Sequence, residues 1–184
     1  MFLRISSGEL RGRQIRVPET DLRPTSEKVR SALFDSLFSM IHFEDRSFLD
    51  IFSGSGIFAL EAVSRGFKSA ASIEKNPKAA AQIRKSIAGL DLNDRIRAIN
   101  SDAFLFNYGS LGPQKYSTIF LDPPYALGQD IPTLLDKIAD AEIVDAVCVM
   151  IVEGDSESDW TREGWNKKTK KFGGTWLTFF YNWE

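Results

Sequence analysis

From Ser47 onward, short apolar runs of strand length alternate with segments of helical periodicity, and that alternation restricts the chain to a mostly parallel sheet covered by helices on both faces. Strands are expected over residues 47–51, 70–73, 96–100, 118–121 and 147–152. Helices are expected over 57–65, closed by Gly66, over 77–90, where Asn76 is a natural cap and Pro77 suits a first turn, and over 131–139. The C-terminal end changes character: residues 167–172 and 175–181 are β-rich runs about Gly173-Gly174, so an antiparallel hairpin brings the sheet to seven strands. Ahead of the sheet, residues 2–6 and 13–17 around Gly8 and Gly12 read as a small hairpin. Val29, Leu33, Leu37 and Met40 then recur at helical spacing behind Thr25 or Ser26 as cap. A chain of 184 residues, 43% of them hydrophobic, fills one such core. The expected organisation is a hairpin extension over 1–25 and a sheet domain over 26–184.

Charge narrows the partners only locally. The formal net charge of -2 gives no global positive field to announce a polyanion. The first thirty residues nevertheless carry Arg4, Arg11, Arg13, Arg16, Arg23, Lys28 and Arg30 against Glu9, Glu19, Asp21 and Glu27. Arginines on a small hairpin can grip phosphates, although a solvated charged hairpin would show the same composition. A second basic run, Lys167, Lys168, Lys170 and Lys171, alternates and is read as facing solvent. Cys148, the only cysteine, lies in an apolar run and reads as a buried structural thiol. His42, the only histidine, has no second His or Cys to build a metal site, so no metal is expected. The first ten residues lack the apolar core of a signal peptide and no stretch reaches membrane-spanning length, so a cytoplasmic protein without a membrane partner is expected, as a monomer.

Three constellations carry chemistry. Asp50-Ile51-Phe52-Ser53-Gly54-Ser55-Gly56 sits where the first sheet strand ends and a helix begins, the crevice in which open α/β sheets bind cofactors. Two glycines alone also fit a dinucleotide fingerprint or a plain turn. The third glycine position holds Ala59, however, and a carboxylate at Asp50 would repel pyrophosphate while suiting the ammonium end of S-adenosylmethionine. Glu74, ending the second predicted strand, can accept both hydroxyls of a ribose, a geometry that nicotinamide and S-adenosylmethionine sites share. Asp102, after the third strand, is placed to accept from an adenine amine or to cap a helix starting near Ala103.

Asp122-Pro123-Pro124-Tyr125 follows the strand over 118–121 directly. Two prolines carry no N–H, so the turn offers carbonyls and a carboxylate without a donor at its centre, and such a site prefers an amine. An exocyclic base amine is a poor nucleophile because its lone pair is delocalised. Hydrogen bonds from it to Asp122 and to the Pro123 carbonyl would favour a pyramidal nitrogen, while Tyr125 offers a face on which the base can stack. A rigid surface turn is the alternative.

The order Arg4-Ile5 to Gly8, Arg11-Gly12-Arg13, Leu22-Arg23-Pro24-Thr25, Val29-Arg30, Leu33-Phe34, Asp50 to Gly56, Leu60-Glu61-Ala62 with Ser64-Arg65-Gly66, Glu74 and Asp122 to Tyr125 resembles the RsmD family of bacterial 16S ribosomal RNA guanine-N2 methyltransferases. The similarity runs nearly end to end, and its N-terminal segment is far more family-specific than the glycine loop or the Asp-Pro-Pro-Tyr turn. It implies a Rossmann-like class I methyltransferase sheet with an N-terminal hairpin, S-adenosylmethionine as donor, and ribosomal RNA or a small-subunit assembly intermediate as partner. By the same resemblance, Asp50 and the loop Phe52, Ser53, Gly54, Ser55 and Gly56 hold the methionine end, Glu74 the ribose, and Asp102 with Ala103 the adenine. Asp122, Pro123 and Tyr125 take catalytic roles on the target amine. Arg11, Arg13, Arg23, Thr25 and Pro124 lie beside the RNA or the cofactor mouth. Adenine N6 as the target, a nicotinamide-dependent oxidoreductase and an inactive RNA-binding assembly factor are the alternatives.

Overall fold

The computed structural model describes residues 1–17 and 25–184; Arg23, expected beside the RNA, lies outside the described residues. Strands β1 (Phe2–Arg4) and β2 (Gln14–Arg16) form an antiparallel pair, followed by helix α1 (Glu27–Phe38). Ser26 caps α1, accepting from the Val29 N–H, so of the two candidate caps it is the one used. Next come β3 (Ser47–Ile51), α2 (Ile57–Ser64), β4 (Ser69–Glu74), α3 (Pro77–Gly89), β5 (Ile96–Asn100), β6 (Tyr116–Leu121), α4 (Ile131–Ala139), β7 (Val144–Gly154), β8 (Asn166–Phe172) and β9 (Thr175–Tyr181).

The main sheet has seven strands in the order β5-β4-β3-β6-β7-β9-β8. Neighbours from β5 to β7 are parallel, while β9 runs antiparallel to both β7 and β8, as the β-rich runs about Gly173-Gly174 require. Strand β3 is buried along its whole length, because both of its faces meet helices. Phe48, Phe120, Val149 and Ile151 pack with α1, α2 and α3 on one face. Leu49, Leu121, Met150 and Val152 pack with α4 on the other. Chain order reverses between β3 and β6, so their C-terminal ends open the crevice where ligands bind in such sheets.

The N-terminal pair is fastened to the far end of α2. Glu61, fully buried, accepts from Arg30 Nε at 3.0 Å, Arg65 Nε at 3.1 Å and the Ser6 amide at 2.7 Å. The Arg30 guanidinium also donates to the Arg4 carbonyl at 3.0 Å. Gly8, at φ 81°, lies so near Ser64 that a Cβ there would sit 1.7 Å from the Ser64 carbonyl oxygen. Thus the Glu61 and Ser64-Arg65 part of the sequence pattern serves to dock the hairpin.

The helix expected near Ala103 does not form. Asp102 caps one isolated turn, its carboxylate accepting from the Phe104 amide at 2.9 Å and its carbonyl from the Phe106 amide at 2.9 Å. Leu105 is 82% exposed there, so no apolar face extends the turn. Cys148 is buried and its thiol pKa pushed up by burial, as befits a structural position. His42 is exposed, and no metal-ligating cluster occurs among the described residues. No helix among the described residues is long and apolar enough to cross a membrane.

Candidate active site

Strand alternation places four carboxylates on one face of the sheet at its C-terminal edge. Asp50 lies two residues beyond Phe48, Glu74 four beyond Ala70, Asp122 two beyond Phe120 and Glu153 two beyond Ile151, all on the α1–α2 side. The pairing of Leu121 with Val152 puts Asp122 and Glu153 side by side one step further along. The row therefore reads Glu74, Asp50, Asp122, Glu153 across β4, β3, β6 and β7.

The loop after β3 is shaped by backbone that only certain residues adopt easily. Phe52, Gly54 and Gly56 all have positive φ, at 61°, 53° and 74°. Gly56 is also tight: a Cβ there would lie 2.9 Å from Ile83 Cγ2. Ser53 ties the loop down, its hydroxyl donating to the Asp50 carbonyl at 2.7 Å and its amide to the Ile73 carbonyl at 3.1 Å. Glu74 holds the loop from the neighbouring strand, accepting from the Gly54 amide at 2.8 Å and the Asn76 amide at 2.7 Å. Each carboxylate oxygen has a second acceptor site, so Glu74 can still receive hydroxyls.

Asp50 is 1% exposed, and its Oδ2 has no partner among the described residues. Burial pushes its pKa well above the ordinary carboxylate range; the Asp122 and Glu74 charges push the same way, and the Ala59 amide opposes them. A buried, unpaired acceptor flanked by two further carboxylates is a place for a cation or a strong donor. Asp102 differs: Lys75 Nζ lies 2.6 Å from it, and that hydrogen bond holds its pKa down. Ala103 behind it is buried, and Phe52 and Phe104 stand with ring centroids 6.1 Å apart at the same rim.

The amide of Asp122 donates to the Ile51 carbonyl at 3.3 Å, fixing the Asp-Pro-Pro turn against the end of β3. Pro123 is buried, Pro124 exposed, and Tyr125 is 72% exposed. Thr25 Oγ1 lies 3.3 Å from Asp122 Oδ2 and 3.1 Å from each oxygen of Glu153. One hydroxyl proton thus serves two carboxylates. Burial raises the Asp122 pKa to about 6, with the Thr25 hydrogen bond opposing. Burial and then the Asp122 charge raise that of Glu153 to about 8.

The structure therefore brings together Asp50, the glycine loop, Glu74, Asp122, Pro123 and Thr25, with Tyr125 and Asp102 at the rim. Arg11 and Arg13 are exposed and stand apart: the turn at Gly8 meets Ser64, at the opposite end of α2 from the loop. An eight-residue helix separates the two, roughly 12 Å. Glu153 is the residue that the sequence reading missed. Its signal was a single acid closing the apolar run over 147–152 just before Gly154.

The profile of the family described as conserved hypothetical protein 95 matches residues 3–181, nearly the whole chain. The chain belongs to this family, the RsmD family. A relative in Bacillus subtilis, named as a candidate rRNA methyltransferase, YlbH, is 31% identical over 84% of this chain and 84% of its own length. Ribosomal RNA small subunit methyltransferase D of Escherichia coli is 38% identical over 68% of this chain; the match spans 62% of that relative's length. Among solved structures, YhhF of Escherichia coli, named as a candidate methyltransferase, superimposes with a TM-score of 0.81 at 30% identity, covering 99% of this chain and 98% of that one. An RNA methyltransferase from Salinibacter ruber, solved with S-adenosyl-L-homocysteine, shares the RsmD fold at a TM-score of 0.65 and 16% identity, over 88% of this chain and 95% of that one.

Proposed function

We propose that this RsmD-family chain transfers a methyl group from S-adenosylmethionine to the exocyclic N2 amine of a guanine in small-subunit ribosomal RNA. The observation that carries the reading is the Asp122-Pro123-Pro124 turn, whose prolines offer no donor, set beside the buried Asp50, whose Oδ2 has no partner among the described residues. The names of the relatives and the ligand of the Salinibacter ruber enzyme support it.

The residues fit that donor. Asp50 Oδ2 would receive its ammonium, the positive-φ loop at Gly54 and Gly56 leaves its backbone open to close approach, Glu74 would receive the ribose hydroxyls, and Asp102 with Ala103 would border the adenine. When bound, S-adenosylmethionine supplies a sulfonium methyl group open to direct displacement. Asp122 accepts one N–H of the target amine and the Pro123 carbonyl the other, which turns the nitrogen lone pair out of the ring plane. The exposed Tyr125 ring stacks on the base. Positioning and electrostatics then supply most of the rate, with no covalent intermediate on the protein. Arg11 and Arg13, away from the turn, would contact RNA phosphates flanking the target, together with Arg23, and their replacement would lower the salt sensitivity of RNA binding.

Asp122→Ala tests the assignment. Because the carboxylate acts on the amine, S-adenosylhomocysteine should still raise the melting temperature as in the wild type, while transfer of labelled methyl to unmodified small subunits falls at least a hundredfold. Equal loss of ligand stabilisation and transfer would place Asp122 in a different role.

A further inference from the structure

Methyl transfer to one amine needs a single carboxylate beside it, yet the site holds a second. Glu153 is 8% exposed, lies next to Asp122 across β6 and β7, and points to the same face. Thr25 supplies one hydroxyl proton to both carboxylates, at 3.1 Å from Glu153 and 3.3 Å from Asp122, and Asp50 Oδ2 nearby has no partner. The described residues thus present more acceptors than donors at this point. That surplus is what a ligand with two adjacent donors would satisfy.

We propose that Glu153 makes the site selective for guanine, by accepting the ring N1–H while Asp122 accepts from the N2 amine. The inference rests on the reading of Asp122 as the acceptor for a base amine. Guanine sets N1–H directly beside its amine, two donors in a row. Adenine and cytosine set a ring-nitrogen lone pair beside theirs, which the ionised Glu153 repels; its pKa, raised to about 8 by burial, confines that discrimination to pH values above it. Uracil has the ring N–H without an amine. Two neighbouring acceptors therefore fit one base of the four. Sites built to receive a substrate donor reject analogues that lack it far more strongly than apolar pockets reject a changed shape, because the buried acceptor is left unpaired. Thr25, whose hydroxyl stands in for the missing donors, would swing aside or keep the remaining lone pair of one carboxylate.

The comparison that tests this uses substrate RNA carrying either guanine or 2-aminopurine at the mapped target position, assayed at a pH above about 8, where Glu153 is ionised. 2-Aminopurine keeps the 2-amino group but has a lone pair at N1. Wild-type protein should favour guanine by at least about a hundredfold in kcat/KM. Glu153→Gln, whose amide can turn either its oxygen or its NH2 toward N1, should bring the preference within about tenfold, with stabilisation by S-adenosylhomocysteine retained as the check on folding. Glu153→Asp, which keeps the carboxylate, should retain the preference at lower rate. Wild-type protein that accepts 2-aminopurine as readily as guanine overturns the inference, as does undiminished selectivity in Glu153→Gln; either result leaves methyl transfer to RNA standing. Transfer to neither RNA by the wild type defeats the amine-acceptor reading and the role of Glu153 with it.

Discussion

Replacing Glu153 by glutamine should flatten the pH dependence of folding stability. Burial first, and then the neighbouring Asp122 charge, raises the Glu153 pKa from 4.5 to about 8, against the Thr25 hydrogen bond. The folded protein therefore keeps a proton that the unfolded chain releases. The stability linked to that proton is fully present below pH 4.5 and is lost as pH rises through about 8. At about 1.4 kcal/mol per pH unit, the window sets a ceiling on the order of 5 kcal/mol, shared with Asp122 because the two carboxylates stand under one hydroxyl. The charges around the pair reinforce the effect. Asp122 supplies the like charge, and Arg30 on α1 is held by Glu61 and by the Arg4 and Thr25 carbonyls. Urea unfolding of wild type and Glu153→Gln between roughly pH 5 and 9 reads this directly. The two should agree near the acid end, with the wild type becoming less stable by several kcal/mol toward the alkaline end. Parallel stability profiles would refute the buried carboxylate pair.

Two further substitutions probe the frame. Glu61→Ala leaves the Arg30 guanidinium, 1% exposed, without its carboxylate, and should cost about 3–5 kcal/mol, lowering the melting temperature by roughly 6–20 °C in calorimetry; a loss under about 1 kcal/mol would show that the hairpin is docked by other contacts. Gly56→Ala puts a side chain at φ 74° and a Cβ 2.9 Å from Ile83 Cγ2, so it should cost about 1–2 kcal/mol of stability and at least tenfold in S-adenosylhomocysteine affinity by titration calorimetry; unchanged affinity would remove the loop from the cofactor site.

The alternation that set the fold class was legible because strands buried on both faces must be apolar throughout. Strand β3 (Ser47–Ile51), strand β5 (Ile96–Asn100) and helix α4 (Ile131–Ala139) fall where the apolar runs and caps put them. Edges were harder. Strand β6 begins at Tyr116 because Tyr116 and Ser117 are buried although a serine interrupts the apolar run, and β7 begins at Val144 because pairing continues past its buried stretch. The isolated turn at Asp102 had a helix cap without a helix behind it, since capping chemistry is local whereas a helix needs an apolar face to pack. Asp50, Glu74 and Asp122 announced themselves by ending strands beside glycines or prolines. Glu153 closes its run before Gly154 in the same way but has no glycine loop or Pro-Pro turn around it; its significance lies in a neighbour 31 positions earlier in the chain and in Thr25 across the crevice. Glu61, similarly, is one acid in a helix until the fold sets two arginines against it.

In the proposed reaction, a turn without backbone donors and a buried carboxylate make a base amine nucleophilic. Mass spectrometry of nucleosides from small ribosomal subunits, lacking the modification and incubated with the protein and labelled S-adenosylmethionine, tests it most directly. Label is expected in N2-methylguanosine at one position; label in N6-methyladenosine, or in no nucleoside at all, would rule out transfer to guanine N2.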